Sequence, residues 1–211
     1  MKKRSAIINL DIKDYMIDGK ELFVIDGLFI NKEIQVIYDD VISKPYFRTE
    51  CDSKSDPYPV FASEFDITKA NSIFDAKISL MTKRCFPDEQ FIVGRSYVNH
   101  IVYGDMEFPH TDCREPKKNV TALCFVNKKW DYRWGGETKF FDKKKEIVQS
   151  VVPRPGRLVL FRGAILHCAT VQTRICKESR LTWAIKMVDK KSVGNGHKST
   201  FEILETENHA V

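Results

Sequence analysis

No stretch of this chain approaches the ~18 consecutive apolar residues that a membrane-crossing helix needs, so a helical membrane protein is not expected. There is also no Cys-x-x-Cys and no zinc-finger spacing among Cys51, Cys85, Cys113, Cys124, Cys168 and Cys176. Structural zinc is thereby set aside, and free, reduced thiols in a cytoplasmic protein are expected. Met1-Lys2-Lys3-Arg4 opens like a secretion leader, but the apolar stretch behind it is broken at Asp11 and is too short for one. Repeats and low-complexity runs are missing. So is a contiguous basic strip with stacking aromatics, which a polynucleotide partner would require. The formal net charge is only +5, and Lys117-Lys118 and Lys143-Lys144-Lys145 read as solvated turns, so no nucleic-acid partner is expected. What is present is a globular composition, 43% hydrophobic and 30% charged over 211 residues, enough for one ordinary domain spanning 1–211.

Taken in order, residues 1–90 read as helical support and a lid region. Leu22 to Ile25 is an expected strand ending at Asp26-Gly27. Asn31 is placed as the cap of a helix over about 32–43, with Ile34, Ile37, Tyr38, Val41 and Ile42 at helical spacing. Residues 44–62, with three prolines and little periodicity, read as a long loop of the kind that often covers a site. Asp66 is expected to cap a second helix with Ile67, Ala70, Ile73, Phe74, Ile78 and Met81 on one face. From residue 91 to 189 the pattern becomes short strands with turn signals between them: 91–103, 120–127, 136–141, 147–152, 157–161, 164–171 and 180–188. The implied class is α+β, a jelly-roll core of antiparallel strands with N-terminal supporting helices, followed by a polar tail at 190–211.

The chemistry concentrates at His110-Thr111-Asp112. Two residues apart on an extended chain, His110 and Asp112 leave the same face. An H-x-D pair with one distant histidine has the composition of the facial triad that holds non-haem Fe(II) and leaves coordination positions open. Of the five histidines, His100, His197 and His209 have no comparable setting, and His167 opens a strand. Thirteen residues on, Arg180 begins the next strand, where a guanidinium can grip a carboxylate through paired N–H donors. Thr182 and Lys186 share its strand face.

The ordered series H-T-D (110–112), W-G-G-E-T (134–138), P-R-P-G-R-L-V-L-F (153–161), His167 and R-L-T (180–182) resembles the 2-oxoglutarate- and Fe(II)-dependent dioxygenases, closest to the prolyl 4-hydroxylase-like branch. The resemblance covers residues 95–188 and nothing in 1–90. It implies a double-stranded β-helix in which His110, Asp112 and His167 bind Fe(II) and Arg180 pairs with the far carboxylate of 2-oxoglutarate. Among the polar groups of the preceding strand, Tyr103 is the first choice for the cosubstrate, with Asn99 and Tyr97 next and Thr182 adding a hydroxyl. Glu137 and Trp134 near the mouth, and Lys186, are the substrate candidates. Cys124 and Phe125 stand where some relatives have a cosubstrate tyrosine.

The implied cofactors are Fe(II), 2-oxoglutarate as cosubstrate and O2. The implied reaction hydroxylates an unactivated C–H bond of a small molecule, such as an amino acid or natural-product intermediate, releasing succinate and CO2. Asp112 occupies the place a halide would need, so hydroxylation is favoured over halogenation. A protein or peptidyl hydroxylase is the alternative, and a non-catalytic jelly-roll metal-binding module the second.

Overall fold

A computed structural model describes residues 10–52, 57–67, 72–114 and 118–193. The expected leader-like start, Lys117, Ala70 and the tail beyond residue 193 lie outside the described residues. Eleven strands are described: β1 (Asp11–Ile17), β2 (Lys20–Asp26), β3 (Phe47–Glu50), β4 (Val60–Glu64), β5 (Phe91–Ile101), β6 (Val120–Phe125), β7 (Thr138–Phe141), β8 (Ile147–Val151), β9 (Leu158–Arg162), β10 (His167–Ala169) and β11 (Arg180–Asp189). Helix α1 spans Asn31–Ile42 and α2 spans Ser72–Cys85. The strands form an eight-stranded sheet in the order β1-β2-β9-β6-β11-β5-β4-β3 and a three-stranded sheet β10-β7-β8, every pairing antiparallel. Together they make the double-stranded β-helix, with the helices on the outer face of the large sheet.

The two-residue period of a strand divides the large sheet cleanly. On β11, Leu181, Trp183, Ile185 and Met187 join Phe74, Ile78 and Met81 of α2 in the outer core, together with Ile34, Ile37 and Val41 of α1. Their neighbours Arg180, Thr182, Ala184 and Lys186 face the interior between the sheets. β9 repeats the division, Leu158 and Leu160 outward and Val159 and Phe161 inward against Phe140 of β7. On β6, Cys124 lies in the outer core while Thr121 and Leu123 line the interior. Trp183 anchors the outer layer, stacked at 4.1 Å on Phe74 with its indole N–H donating to Ser96 Oγ at 2.8 Å.

Several sequence expectations need correction. The N-terminal region is not chiefly helical: β1 to β4 all belong to the large sheet. The turn Asp18-Gly19, both at positive φ, makes β1 and β2 a tight hairpin, which is the use Asp-Gly pairs serve best. The expected loop at 44–62 instead carries β3 and β4, because Val60 and Ala62 bury on the pleat and residues 61–64 extend the ladder of β5. Ile30, not Asn31, holds the capping position of α1; its extended backbone lets Glu33 reach back to the Ile30 N–H at 2.9 Å. Asp66 does not cap α2, which begins at Ser72.

A half-buried ion pair ties the first hairpin to the barrel. Arg157 donates through Nε and Nη2 to the two oxygens of Asp26 at 2.8 and 2.6 Å. Burial alone would raise the Asp26 pKa, but the Arg157 hydrogen bonds and charge outweigh it and the net shift is downward. A carboxylate with a depressed folded pKa contributes stability above its unfolded value, 3.8, and loses it as pH falls through the folded value. Asp26→Asn is therefore expected to cost about 2–3 kcal/mol at neutral pH by urea denaturation. The penalty should begin to shrink below about pH 4, where the carboxylate of the unfolded chain takes up its proton, and vanish as pH falls through the lower folded value.

Candidate active site

The histidine and aspartate side chains converge because the backbone pairs them. His110 and His167 form an antiparallel bridge, each N–H donating to the other's carbonyl at 2.9 Å, which appends the H-x-D segment to the edge of β10. The Asp112 N–H donates to Gly163 O at 2.7 Å. A β-carbon at Gly163 would sit 3.2 Å from Asp112 Cβ and 3.1 Å from Cys113 Sγ, so close approach demands glycine there.

His110 Nε2 lies 3.6 Å from one Asp112 oxygen and His167 Nε2 lies 3.6 Å from the other. One potential ligand atom from each of the three residues falls within 4.8 Å of the others, the spacing of donors around a single ion. Both Nδ1 atoms are already engaged: His110 with Phe108 O at 2.9 Å, His167 with Ile165 O at 2.9 Å. A carbonyl can only accept, so each Nδ1 carries a proton and each Nε2 is the nitrogen left to a metal, which at His110 would take the place of any Nε2 proton. The donor set and its tautomers fit a divalent ion.

Electrostatics separate the two histidines. His167 is enclosed by Phe161 (ring centroids 4.6 Å) and Phe140 (5.9 Å), and this burial pushes its pKa down to about 3, leaving a neutral ligand at any physiological pH. Burial pulls His110 the same way, but the carboxylates of Asp112 and Asp52 outweigh it and hold its pKa well above the ordinary value. Asp112 also resists the upward pull of burial. Lys186 and the histidines keep it well below the usual carboxylate range, and Thr121 Oγ1 donates to its Oδ2 at 2.5 Å. The Lys186 ammonium, 14% exposed, sits directly on Asp112 Oδ1.

Arg180, 1% exposed, holds its guanidinium with neutral partners: Nε donates to Gly136 O (2.8 Å), Nη1 to Thr182 Oγ1 (3.2 Å) and Nη2 to Thr138 Oγ1 (2.9 Å). Among the described residues no carboxylate lies within ion-pair distance of it. Burial lowers its pKa, with Glu107 and Glu137 pulling the other way. A buried cation so placed is costly unless an anion is meant to join it. Asn99 and Tyr97 line the same cavity, and the Asn99 side-chain carbonyl is buried without a partner.

Other expected residues fall elsewhere. Tyr103 lies beyond the end of β5, 62% exposed and off the cavity, because the strand stops at Ile101 and the chain turns at Val102–Asp105. Trp134 packs edge-on against Trp130, and Glu137 accepts from Thr170 Oγ1 at 2.9 Å; neither lines the cavity. The 130–137 loop serves Arg180 instead, through Gly136 O. Sequence reasoning missed Glu50, Asp52, Glu107 and Thr138. Glu107 accepts from Asn99 Nδ2 and from the Ala169 N–H, both at 3.1 Å, and burial raises its pKa. Its place three residues before His110 is the one local hint. Thr138 is the inward neighbour of Gly136 in the very motif that carries the resemblance.

Residues 97–185 match the model of the 2OG-Fe(II) oxygenase superfamily. No curated protein sequence is a significant match. Among solved structures, the fold is similar to a Pseudomonas putida prolyl-4-hydroxylase, with TM-score 0.57, 15% identity, and 76% of this chain and 88% of that chain covered. It is similar to the 2OG complex of a viral collagen prolyl hydroxylase from Paramecium Bursaria Chlorella virus-1, with TM-score 0.59, 18% identity, and coverage of 82% and 99%. It is also similar to a Trichoplax adhaerens prolyl hydroxylase in complex with a hypoxia inducible factor oxygen degradation domain peptide fragment, with TM-score 0.62, 13% identity, and coverage of 91% and 89%. Residues 97–185 are thus a 2OG-Fe(II) oxygenase superfamily domain, in a fold of the prolyl 4-hydroxylase-like branch. That domain is of the 2-oxoglutarate-dependent non-haem iron dioxygenase class, whose cofactors are Fe(II), 2-oxoglutarate and O2.

Proposed function

We propose that this dioxygenase hydroxylates a C–H bond of a small anionic molecule, with His110 Nε2, His167 Nε2 and an Asp112 oxygen holding Fe(II). The observation that carries the metal assignment is the pair of Nδ1–carbonyl contacts, which leave both Nε2 atoms as the ring nitrogens nearest Asp112, each 3.6 Å from one of its oxygens. Arg180, with Thr182 and Thr138 around its guanidinium, takes the far carboxylate of 2-oxoglutarate, and Asn99 and Tyr97 form the adjoining wall. Bound Fe(II) with 2-oxoglutarate supplies the oxidising power for the C–H bond, and succinate and CO2 leave.

The chain's own residues orient and seclude. The Phe140 and Phe161 rings keep water from the His167 side, and Thr121 fixes the Asp112 carboxylate. On the substrate side, Lys186 is the cation available to read an anion. Its ammonium lies at the cavity wall on Asp112, where an anionic group of a substrate bound beside the metal would meet it. Arg95 is committed elsewhere, doubly bonded to Glu50 at 3.0 and 2.6 Å and also paired with Glu64.

Lys186→Met is expected to weaken apparent binding (raise KM) for a carboxylate-bearing substrate by about 10-fold or more, the scale of one charge-assisted hydrogen bond, while leaving the cosubstrate KM unchanged. An equal rise in both would mean that Lys186 serves the cosubstrate. Gly136→Ala is expected to disturb Arg180 from its other side. At φ +73 the new β-carbon would stand 3.1 Å from the Trp130 ring and 3.2 Å from Arg180 Cδ. A stability loss of about 1–3 kcal/mol and a raised cosubstrate KM should follow. Unchanged cosubstrate kinetics would detach the loop from that role.

A peptidyl side chain is the second reading, favoured because the similar structures are prolyl hydroxylases, one of them holding a peptide fragment. The deciding experiment is substrate-dependent succinate release, comparing small carboxylic acids, amino acids and proline-containing peptides. Stimulation by peptides alone would overturn the small-molecule reading. Metal binding with no succinate release under any condition would leave a metal-binding module.

A further inference from the structure

We propose that Asp52, carried by the segment that follows β3, is a positioning residue for His110, so that metal loading and the seating of the β3–β4 hairpin are linked. The proposal rests on the reading of His110 as a metal ligand. Asp52 Oδ1 lies 3.1 Å from His110 Nδ1, and Asp52 Oδ2 accepts from the Phe108 N–H. One carboxylate therefore braces both the imidazole and the backbone two residues before it. His110 Nδ1 also lies 2.9 Å from Phe108 O, so its proton is shared between two acceptors and its Nε2 remains directed at Asp112.

The hairpin is itself anchored to the ladder that leads to the site. Arg48 donates to Asp105 Oδ1 at 2.7 Å, and Glu50 is gripped by Arg95 of β5. Glu50, Cys51 and Asp52 form one wall of the cavity. His167 shares the carbonyl contact two residues back, Ile165 O at 2.9 Å, but among the described residues no carboxylate stands on its Nδ1. A carboxylate behind a metal-bound imidazole strengthens it as a ligand and fixes its ring, and losing such a partner typically costs 10–100-fold in metal affinity. Because this carboxylate comes from a separate hairpin, binding at one end must favour seating at the other by the same factor.

The test uses the purified full chain and Mn(II) as probe, with affinity read by water-proton relaxation and hairpin seating by amide hydrogen exchange at residues 47–50. In wild type, Mn(II) should slow exchange in β3. Asp52→Ala should bind Mn(II) about 10–100-fold more weakly and, even when saturated, show no slowing. Asp52→Asn keeps an acceptor oxygen without the charge and should fall between. Wild-type Mn(II) affinity in Asp52→Ala, or equal slowing of β3 exchange in that variant, would overturn the proposal. His167→Ala separates the two ideas. If it abolishes Mn(II) binding while Asp52→Ala does not weaken it, the metal site stands and the Asp52 role falls. If wild type itself fails to bind Mn(II), both fall.

Discussion

His110→Ala is expected to abolish metal binding and turnover while leaving the apo-protein as stable as wild type to within about 1 kcal/mol. The reason lies in the unequal burial of the triad. His110 has 20% of its side chain exposed and sits at a sheet margin, so its removal opens little of the core. Its backbone bridge to His167 does not depend on the imidazole and should persist. Asp112→Ala should lose activity equally but for a different structural cost. Lys186 would be left as a mostly buried ammonium without its carboxylate, a penalty of about 3–5 kcal/mol. The two variants thus share a functional phenotype and differ in stability. Denaturant midpoints and Mn(II) titration measure both quantities, and a His110→Ala protein that turns over at the wild-type rate would remove His110 from the metal site.

Arg180→Met is expected to raise the cosubstrate KM on the order of 10²-fold, with apo-protein stability unchanged or increased. The paired charge-assisted hydrogen bonds lost are worth about 1.5–3 kcal/mol each, partly recovered by water and Thr182. Stability should move the other way. The guanidinium is fully buried among neutral acceptors, and replacing an uncompensated buried charge with an apolar chain of similar volume often stabilises. Destabilisation kept for function is the mark of a binding residue. An Arg180→Met protein with a wild-type cosubstrate KM would place 2-oxoglutarate elsewhere. Large destabilisation with an unchanged KM would make Arg180 a structural residue.

The legible parts of this chain are those in which one local pattern decides one outcome. The seven strands expected after residue 91 appear within a few residues of their expected bounds, because alternation on a sheet packed on both faces is strongly patterned. The convergence of the H-x-D pair with His167 is readable because a facial donor set restricts residue type, and the resemblance points to Arg180 on the same cavity. What could not be read depends on long-range pairing. Residues Phe47–Glu50 form a strand only because β4 and then β5 stand beside them, and four exposed or half-buried residues leave no periodic signal. Asp52 comes to His110 across that pairing, so neither spacing nor composition announces it. The β1–β2 hairpin is a different case: Asp18-Gly19 between alternating segments is a turn signal open to recognition. Tyr103 shows the converse error, a strand face extended two residues past the point where Asp105 turns the chain.

The most direct test of the central claim is calorimetric titration of 2-oxoglutarate into the anaerobic protein, with and without Fe(II), in wild type, His167→Ala and Arg180→Met. The expected result is binding in wild type that requires the metal, is lost in His167→Ala for want of metal, and is weakened on the order of 10²-fold in Arg180→Met with the metal still bound. Binding of equal strength with and without Fe(II), or equal in wild type and Arg180→Met, would contradict a site in which Fe(II) and Arg180 hold the two ends of one cosubstrate.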